Sequence, residues 1–222
     1  DDIEIDGSAA PGLVIDMGGH TFQIEGNRNE VNALNFKSTN TIQGALWVTG
    51  NNNSVEYYVT SGGILVVDGD GNDFQGFSSN GIISQSVVIN GNSNVLDDFN
   101  IIQTTANYAF TINGNGNTVQ NSTVTQQAAA HVVYITGGSN TFVNSTMHRT
   151  VKADYMAVYI IGAGATFNTI QNNIITGPSK SAIEIRGGAS NNTIKGNDIS
   201  GFFNIGVALS VGVVDGTIKD GN

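Results

Sequence analysis

With 222 residues, 39% hydrophobic and 12% charged, the chain carries enough apolar material for one core and unusually little charge. Its formal charge of −10, from 18 acids and 8 bases, speaks against a general nucleic-acid binder. The absence of cysteine excludes disulfides, thiol catalysis and cysteine-ligated zinc, and three histidines (His20, His131, His148) are too few for a histidine-rich metal site. No apolar run is long enough for a membrane-spanning helix. Few lysines among many Asn, Thr, Ser and Gly suit an extracellular β protein, and a start at Asp1 with no signal-peptide pattern fits either a mature secreted form or a trimmed piece of a longer chain.

In chain order, the opening segment DDIEIDGSAAPG holds half a repeat unit at most. Apolar pairs at i and i+2 then recur at Phe22/Ile24, Leu46/Val48, Leu65/Val67, Val87/Ile89, Phe110/Ile112, Val133/Ile135 and Leu209/Val211, each the single face of a short strand. After them come anchor residues Asn29, Asn53, Asn72, Asn94, Asn117, Asn140, Asn168, Asn192 and Gly216, spaced 19 to 28 residues apart. Two positions past every anchor stands an apolar residue: Val31, Val55, Phe74, Leu96, Val119, Phe142, Ile170, Ile194 and Ile218. A third apolar position follows at Ile101, Val124, Met147, Ile175 and Ile199. Three short strands per repeat cannot close a core alone, but stacked repeats can, each strand pairing with its equivalent one turn away. The expected fold is therefore all-β, one domain over residues 1–222: a parallel β-solenoid of about nine coils, roughly 43 Å long at strand spacing. Only two prolines interrupt it.

The segments NGNGNTVQNSTVT, GGSNTFVNSTM and GGASNNTIKGNDIS resemble the right-handed parallel β-helix repeat of pectate-lyase-like proteins, over residues 20–220. That resemblance implies a single-stranded right-handed helix, with the strand before each anchor in a first sheet, NTVQ in a second and STVT in a third. It also implies that the first sheet and its loops form a glycan groove. The family includes lyases, hydrolases, epimerases, tailspikes and non-enzymes, so it does not decide between binding and degrading a polysaccharide.

Polar columns follow from the same register. Asn115/Asn117 align with Asn92/Asn94, Asp70/Asn72 and Asn51/Asn53, and Asn121, Asn144 and Asn172 align with Asp98, giving stacked amides at two turns. Asn121 and Asn144 also open Asn-Ser-Thr glycosylation sequons. Asp68, Asp70 and Asp73 resemble a calcium loop, although in register they are acidic members of a turn ladder, and no cofactor is otherwise expected. Thr118, Thr141, Thr169, Thr193 and Thr217 form an outward row on the second sheet, the pattern of an ice-binding face or of ordinary strand propensity. The first sheet's outward pairs, Ala45/Trp47, Ile64/Val66, Ser86/Val88, Ala109/Thr111, Val132/Tyr134 and Ala157/Tyr159, are apolar enough to need covering by a partner or to be a working surface.

Charge is uneven: residues 1–100 carry net −11 and residues 101–222 net +1. The longest coil holds its extra length in HRTVKADYM, leading back to the first sheet. Tyr134, Tyr159 and Glu184 are expected in one outward row with Arg186 beside them, rimmed by His131, Lys152, Asp154, Tyr155 and Lys180. With Trp47, His131, Tyr134, Asp154, Tyr155 and Lys180 as sugar contacts, a catalytic version assigns Glu184 or Lys152 as base, Tyr159 as acid and Arg186 as carboxylate clamp, for proton abstraction beside a uronate. Against it, the hydrolases of the family cluster aspartates on the first sheet and its calcium-dependent lyases cluster acids there, and only Glu184/Arg186 comes close. A non-catalytic alternative buries Trp47, Val66, Val88 and Tyr134 against a second copy in a filament or adhesin stalk. Both ends look uncapped, the chain stopping in mid-coil at Asp220-Gly221-Asn222, so either the chain is a piece of a longer protein or its ends pair with neighbours.

Overall fold

In the computed structural model, residues 2–10, 13–38, 45–56, 59–61, 65–82, 87–210 and 218–220 are described. Strands of three to six residues form three parallel sheets of ten, nine and nine strands, and every strand but the two at the ends of each sheet pairs with its equivalents in the coils on either side. Among the described residues there is no helix. Val119 pairs with Phe142 and Phe142 with Ile170, so residues two dozen apart in sequence become neighbours. The chain is a parallel β-helix, as its apolar periodicity predicts.

The core is a set of inward columns. On the first sheet Leu46, Leu65, Val87, Phe110, Val133, Val158 and Ile183 stack in register, and on the second Val55, Phe74, Leu96, Val119, Phe142, Ile170 and Ile194 do the same. All are essentially inaccessible to solvent. Period-two alternation puts every second residue inward, so a single apolar face per strand suffices.

The turns are solved by polar columns. From Asn29 through Asn53, Asn72, Asn94, Asn117, Asn140, Asn168 and Asn192, the backbone N–H of each anchor donates to the Oδ1 of the next, at 2.8–2.9 Å. The Nδ2 groups of Asn94, Asn117, Asn140 and Asn168 donate to carbonyls of Gly69, Gly91, Gly114 and Gly137. Buried backbone groups that no strand can pair are thereby met. Those glycines form a second column, in which a Cβ on Gly114 would stand 1.8 Å from the Gly91 oxygen.

Several expectations are corrected. Ala45, Ala109, Val132 and Ala157 do not point outward: they precede their strands, at the corner where the chain enters the sheet, and are fully buried. Asn121, Asn144, Asn172 and Asp98 are not the hydrogen-bonded column of their turn. They adopt left-handed backbone (φ 52–57°) with exposed side chains, and the inner column lies one residue on, at Ser122, Ser145, Asn173 and Asn197. In the last coils Val207 and Leu209, not Leu209 and Val211, continue the columns of Ile183 and Ile185; Val211 lies outside the described residues. A slip of two residues leaves every strand face unchanged, so the apolar pattern fits both registers. Ile218 pairs with Thr193 rather than Ile194.

Candidate functional site

On the first sheet the outward residues make one continuous row. Gln23, Trp47, Val66, Val88, Thr111, Tyr134, Tyr159, Glu184 and Ala208 are successive register partners. Tyr134, Tyr159 and Glu184 therefore stand side by side as the repeat predicts, and Arg186 follows two residues after Glu184, paired with Ile161.

The loops entering this sheet add rings to the row. Tyr108 stacks on Tyr134 (centroids 4.7 Å apart, planes 12° apart), and His131 stacks on Tyr159 (4.5 Å, 17°). Tyr155 packs nearly perpendicular to His131 with centroids 5.2 Å apart, and Tyr108 lies 5.4 Å from it. A cleft of about 290 Å³ opens beside them, lined by Ala106, Asn107, Tyr108, Ala130 and Tyr155. Among the described residues, none of the phenol hydroxyls of Tyr108, Tyr134, Tyr155 and Tyr159 has a hydrogen-bond partner in the protein, and none is an orphaned buried atom, so all four reach solvent. Burial, and then the neighbouring phenols of Tyr134, Tyr155 and Tyr159, push the Tyr108 hydroxyl above its ordinary pKa, because a phenolate there would lose hydration and face its neighbours' oxygens. Ring faces are largely spent on one another, and the edges and hydroxyls are what the surface offers.

His131 is not a surface contact residue. It is 7% exposed, and its Nδ1 accepts the Met156 backbone N–H at 3.0 Å, which requires that nitrogen to be unprotonated. Burial, together with the charge of Arg149, pushes its pKa down to about 4. Arg149 lies beneath the cleft, fully buried at the inward end of its third-sheet strand, in register with Gln126. Its guanidinium donates to the carbonyls of Ala130 and Ala128 (3.2 Å for the latter) and stands 6.0 Å from the Tyr155 ring, while Nε has no partner. Among the described residues no carboxylate pairs with it. Burial lowers its pKa. Below it, Gln126 does related work, its Nε2 donating to the Asn107 carbonyl and its Oε1 accepting the Ala128 N–H. The column Gln103, Gln126, Arg149 thus ties down the loops that carry Tyr108 and His131. The next coil makes room with Gly177, where a Cβ would fall 2.6–2.9 Å from atoms of Arg149.

The remaining candidates divide. Glu184 is buried and accepts the Ser210 hydroxyl at 2.8 Å. Lys152 is exposed, its ammonium 5.0 Å from the centre of the Phe203 ring. Asp154, Lys180 and Arg186 are exposed and form no ion pair among the described residues. An isolated bridge between Ala153 and Ser179 joins the Lys152–Asp154 loop to the loop preceding Lys180. Trp47 stands four rungs from Tyr134, roughly 19 Å away at strand spacing, and its indole N–H donates to Asp68 at 2.6 Å. Asp68 and Asp70 accept the side-chain amides of Asn90 and Asn92, while Asp73 lies exposed on the second sheet. Among the described residues no group of three or more His, Asp or Glu converges as a metal site. Thr118, Thr141, Thr169 and Thr193 pair in strict register, partly exposed; Thr217 lies outside the described residues.

Tyr108 and Arg149 were missing from the sequence-based site. Tyr108 sits two residues before Phe110, as His131 does before Val133, so column alignment carried that signal. Arg149 aligns with Gln103 and Gln126, an inward polar column that a search for outward charge passes over.

Residues 131–220 match the family model described as right handed beta helix region. The chain is similar in fold to the Dettilon tailspike protein (11% identity, 91% of this chain and 63% of that chain, TM-score 0.45) and to the catalytic domain of a GH87 alpha-1,3-glucanase in complex with nigerose (14%, 91% and 64%, TM-score 0.35). A PL6 alginate lyase complex with trisaccharide is matched at 12% identity over 88% of this chain and 60% of that one, with a TM-score of 0.26. The chain spans a little under two thirds of the length of these solved chains. Comparison with curated proteins gives no match. The fold is that of a right-handed parallel β-helix repeat protein.

Proposed function

We propose that this protein binds a glycan in the cleft between Tyr108 and Tyr155, along the row through Tyr134 and Tyr159, and that it works outside the cell. The observation that carries the reading is a cleft walled by the phenols of Tyr108 and Tyr155, with Tyr134 and Tyr159 in the ring cluster beside it and none of the four hydroxyls partnered among the described residues. A phenol both donates and accepts, and its ring edge is apolar; sugar units present the same mixture of hydroxyls and C–H faces. The cleft is at the small end of ligand sites, so it fits a short stretch of a chain. The net charge of −11 over residues 1–100 repels a long polyanion and favours a short or neutral glycan. Calorimetric titration with neutral and uronic oligosaccharides tests this. Tyr134→Ala with Tyr159→Ala is expected to weaken binding about tenfold or more; unchanged affinity in the double variant refutes the site.

A catalytic extension of the same site uses the adjacency of Tyr159 and Glu184. Glu184 is the better base than Lys152, whose ammonium is occupied by Phe203, and Tyr159 would act as acid with Arg186 on a substrate carboxylate. Glu184→Gln then abolishes product formation while binding survives. A second reading rests on the half-buried, mutually stacked Trp47, Val66 and Val88, which suit burial against another copy; concentration-dependent sedimentation removed by Val66→Lys is its signature.

A further inference from the structure

The loop between the third-sheet strand Thr146–Arg149 and the first-sheet strand Val158–Ile161 carries Tyr155, one wall of the cleft. Its last turn is fastened to the coil below by a side chain: the Met156 N–H donates to His131 Nδ1, and next to it Val132 N–H donates to the Met156 carbonyl at a long 3.4 Å. His131 also supplies the ring against which Tyr155 packs at near right angles. We propose that His131 is an acid-operated latch: neutral, it holds the Met156 turn and Tyr155 against the cleft; protonated, it lets them go.

The geometry supplies two reasons for release. A proton on Nδ1 turns the acceptor into a donor facing another donor, the Met156 N–H, so that bond cannot survive. The new charge would also sit buried among groups that give it nothing. Tyr108, Tyr134, Tyr155 and Tyr159 surround it, with ring centroids 4.5–6.2 Å away. From the third sheet the charge facing it is the Arg149 guanidinium, of the same sign, which is bonded to the Ala130 carbonyl beside it. Gln126, the other third-sheet group, donates to the His131 carbonyl. Of the neighbouring loop and sheet, Lys152 and Asp154 are exposed and Glu184 is engaged with Ser210 on the far side of Tyr159. Burial and, after it, the like charge of Arg149 depress the pKa to about 4, and that value sets where the latch opens. The proposal rests on the glycan reading only for what the cleft holds; the latch itself is a property of the loop.

The test is site-resolved hydrogen exchange by NMR from pH 7 to pH 3, with the His131 ring shifts followed in the same samples. The expected result is a midpoint near pH 4 for His131, coincident with a loss of at least about tenfold in Met156 amide protection, while the amide of Val119 on the second sheet keeps its protection. In His131→Asn, whose Oδ1 can accept the Met156 N–H but cannot be protonated, the loss is expected to disappear. Three results overturn the latch: titration of His131 near 6.5, titration without a change at Met156, or simultaneous loss at Val119, which is global unfolding. Should His131→Asn not fold, the wild-type titration decides alone. None of these readings needs a ligand, so failure of glycan binding leaves the latch standing, and its failure leaves the binding site untouched.

Discussion

At the scale of single residues, the buried imidazole ties stability to pH. In the unfolded chain His131 titrates near 6.5; in the fold it is held down to about 4. Between those values the unfolded state binds a proton that the folded state refuses, so stability falls as pH drops from 6.5 towards 4 and the loss is complete below that. A shift of this size corresponds to about 3 kcal/mol. Urea unfolding at pH 7 and pH 4.5 is expected to show most of this loss in the protein and to show it much reduced in His131→Asn. Arg149 sits in the same neighbourhood as a buried charge without an acid among the described residues, bonded to two carbonyls. Such a cation is tolerated because the carbonyls it meets would otherwise be unpaired.

At the scale of a coil, the turns between first and second sheets limit what the sequence can change. Backbone packs on backbone along the column Gly50, Gly69, Gly91, Gly114 and Gly137, each Cβ position lying within 2 Å of the carbonyl oxygen one coil below. No side chain gives way there, since the obstacle is main chain. Gly114→Ala is expected to cost 3 kcal/mol or more, at or beyond the upper range of ~1–3 kcal/mol for overpacking, and to lower the thermal midpoint well beyond the effect of Gly19→Ala, whose Cβ meets open space. The anchor amides are nearly as constrained: Asn117→Ala leaves the Asn94 backbone N–H and the Gly91 carbonyl without their partners, an expected loss of about 1–3 kcal/mol for each buried group.

Across the whole molecule, stability is passed from coil to coil. Phe99, Phe110 and Phe142 touch in sequence, at 6.1 and 5.9 Å between centroids, joining three successive coils through the interior. In a stacked-repeat protein the energy is a sum of unit and nearest-neighbour terms, so damage stays local. Phe110→Ala is expected to cost about 3–5 kcal/mol, and hydrogen exchange should show the loss greatest around Ile101, Val119 and Phe142 and small at Phe36, several coils away. An equal loss of protection at Phe36 would mean that the helix melts as one unit.

Which residues share a column was written in the chain itself: apolar pairs, anchors and turn residues recur at a spacing that only stacking explains. The row Tyr134, Tyr159, Glu184 was legible for that reason, since register needs no knowledge of side-chain direction. What the tertiary structure alone decided lies at the corners, where alternation stops. There Ala109 and Val132 turn inward, Tyr108 swings onto Tyr134, His131 gives up its surface position to hold Met156, and Arg149 runs beneath the loops instead of reaching solvent. Strand positions inherit their direction from a period of two, whereas a loop side chain points wherever its coil neighbours leave a carbonyl to meet or a ring to cover, and those neighbours exist only once the coils are stacked.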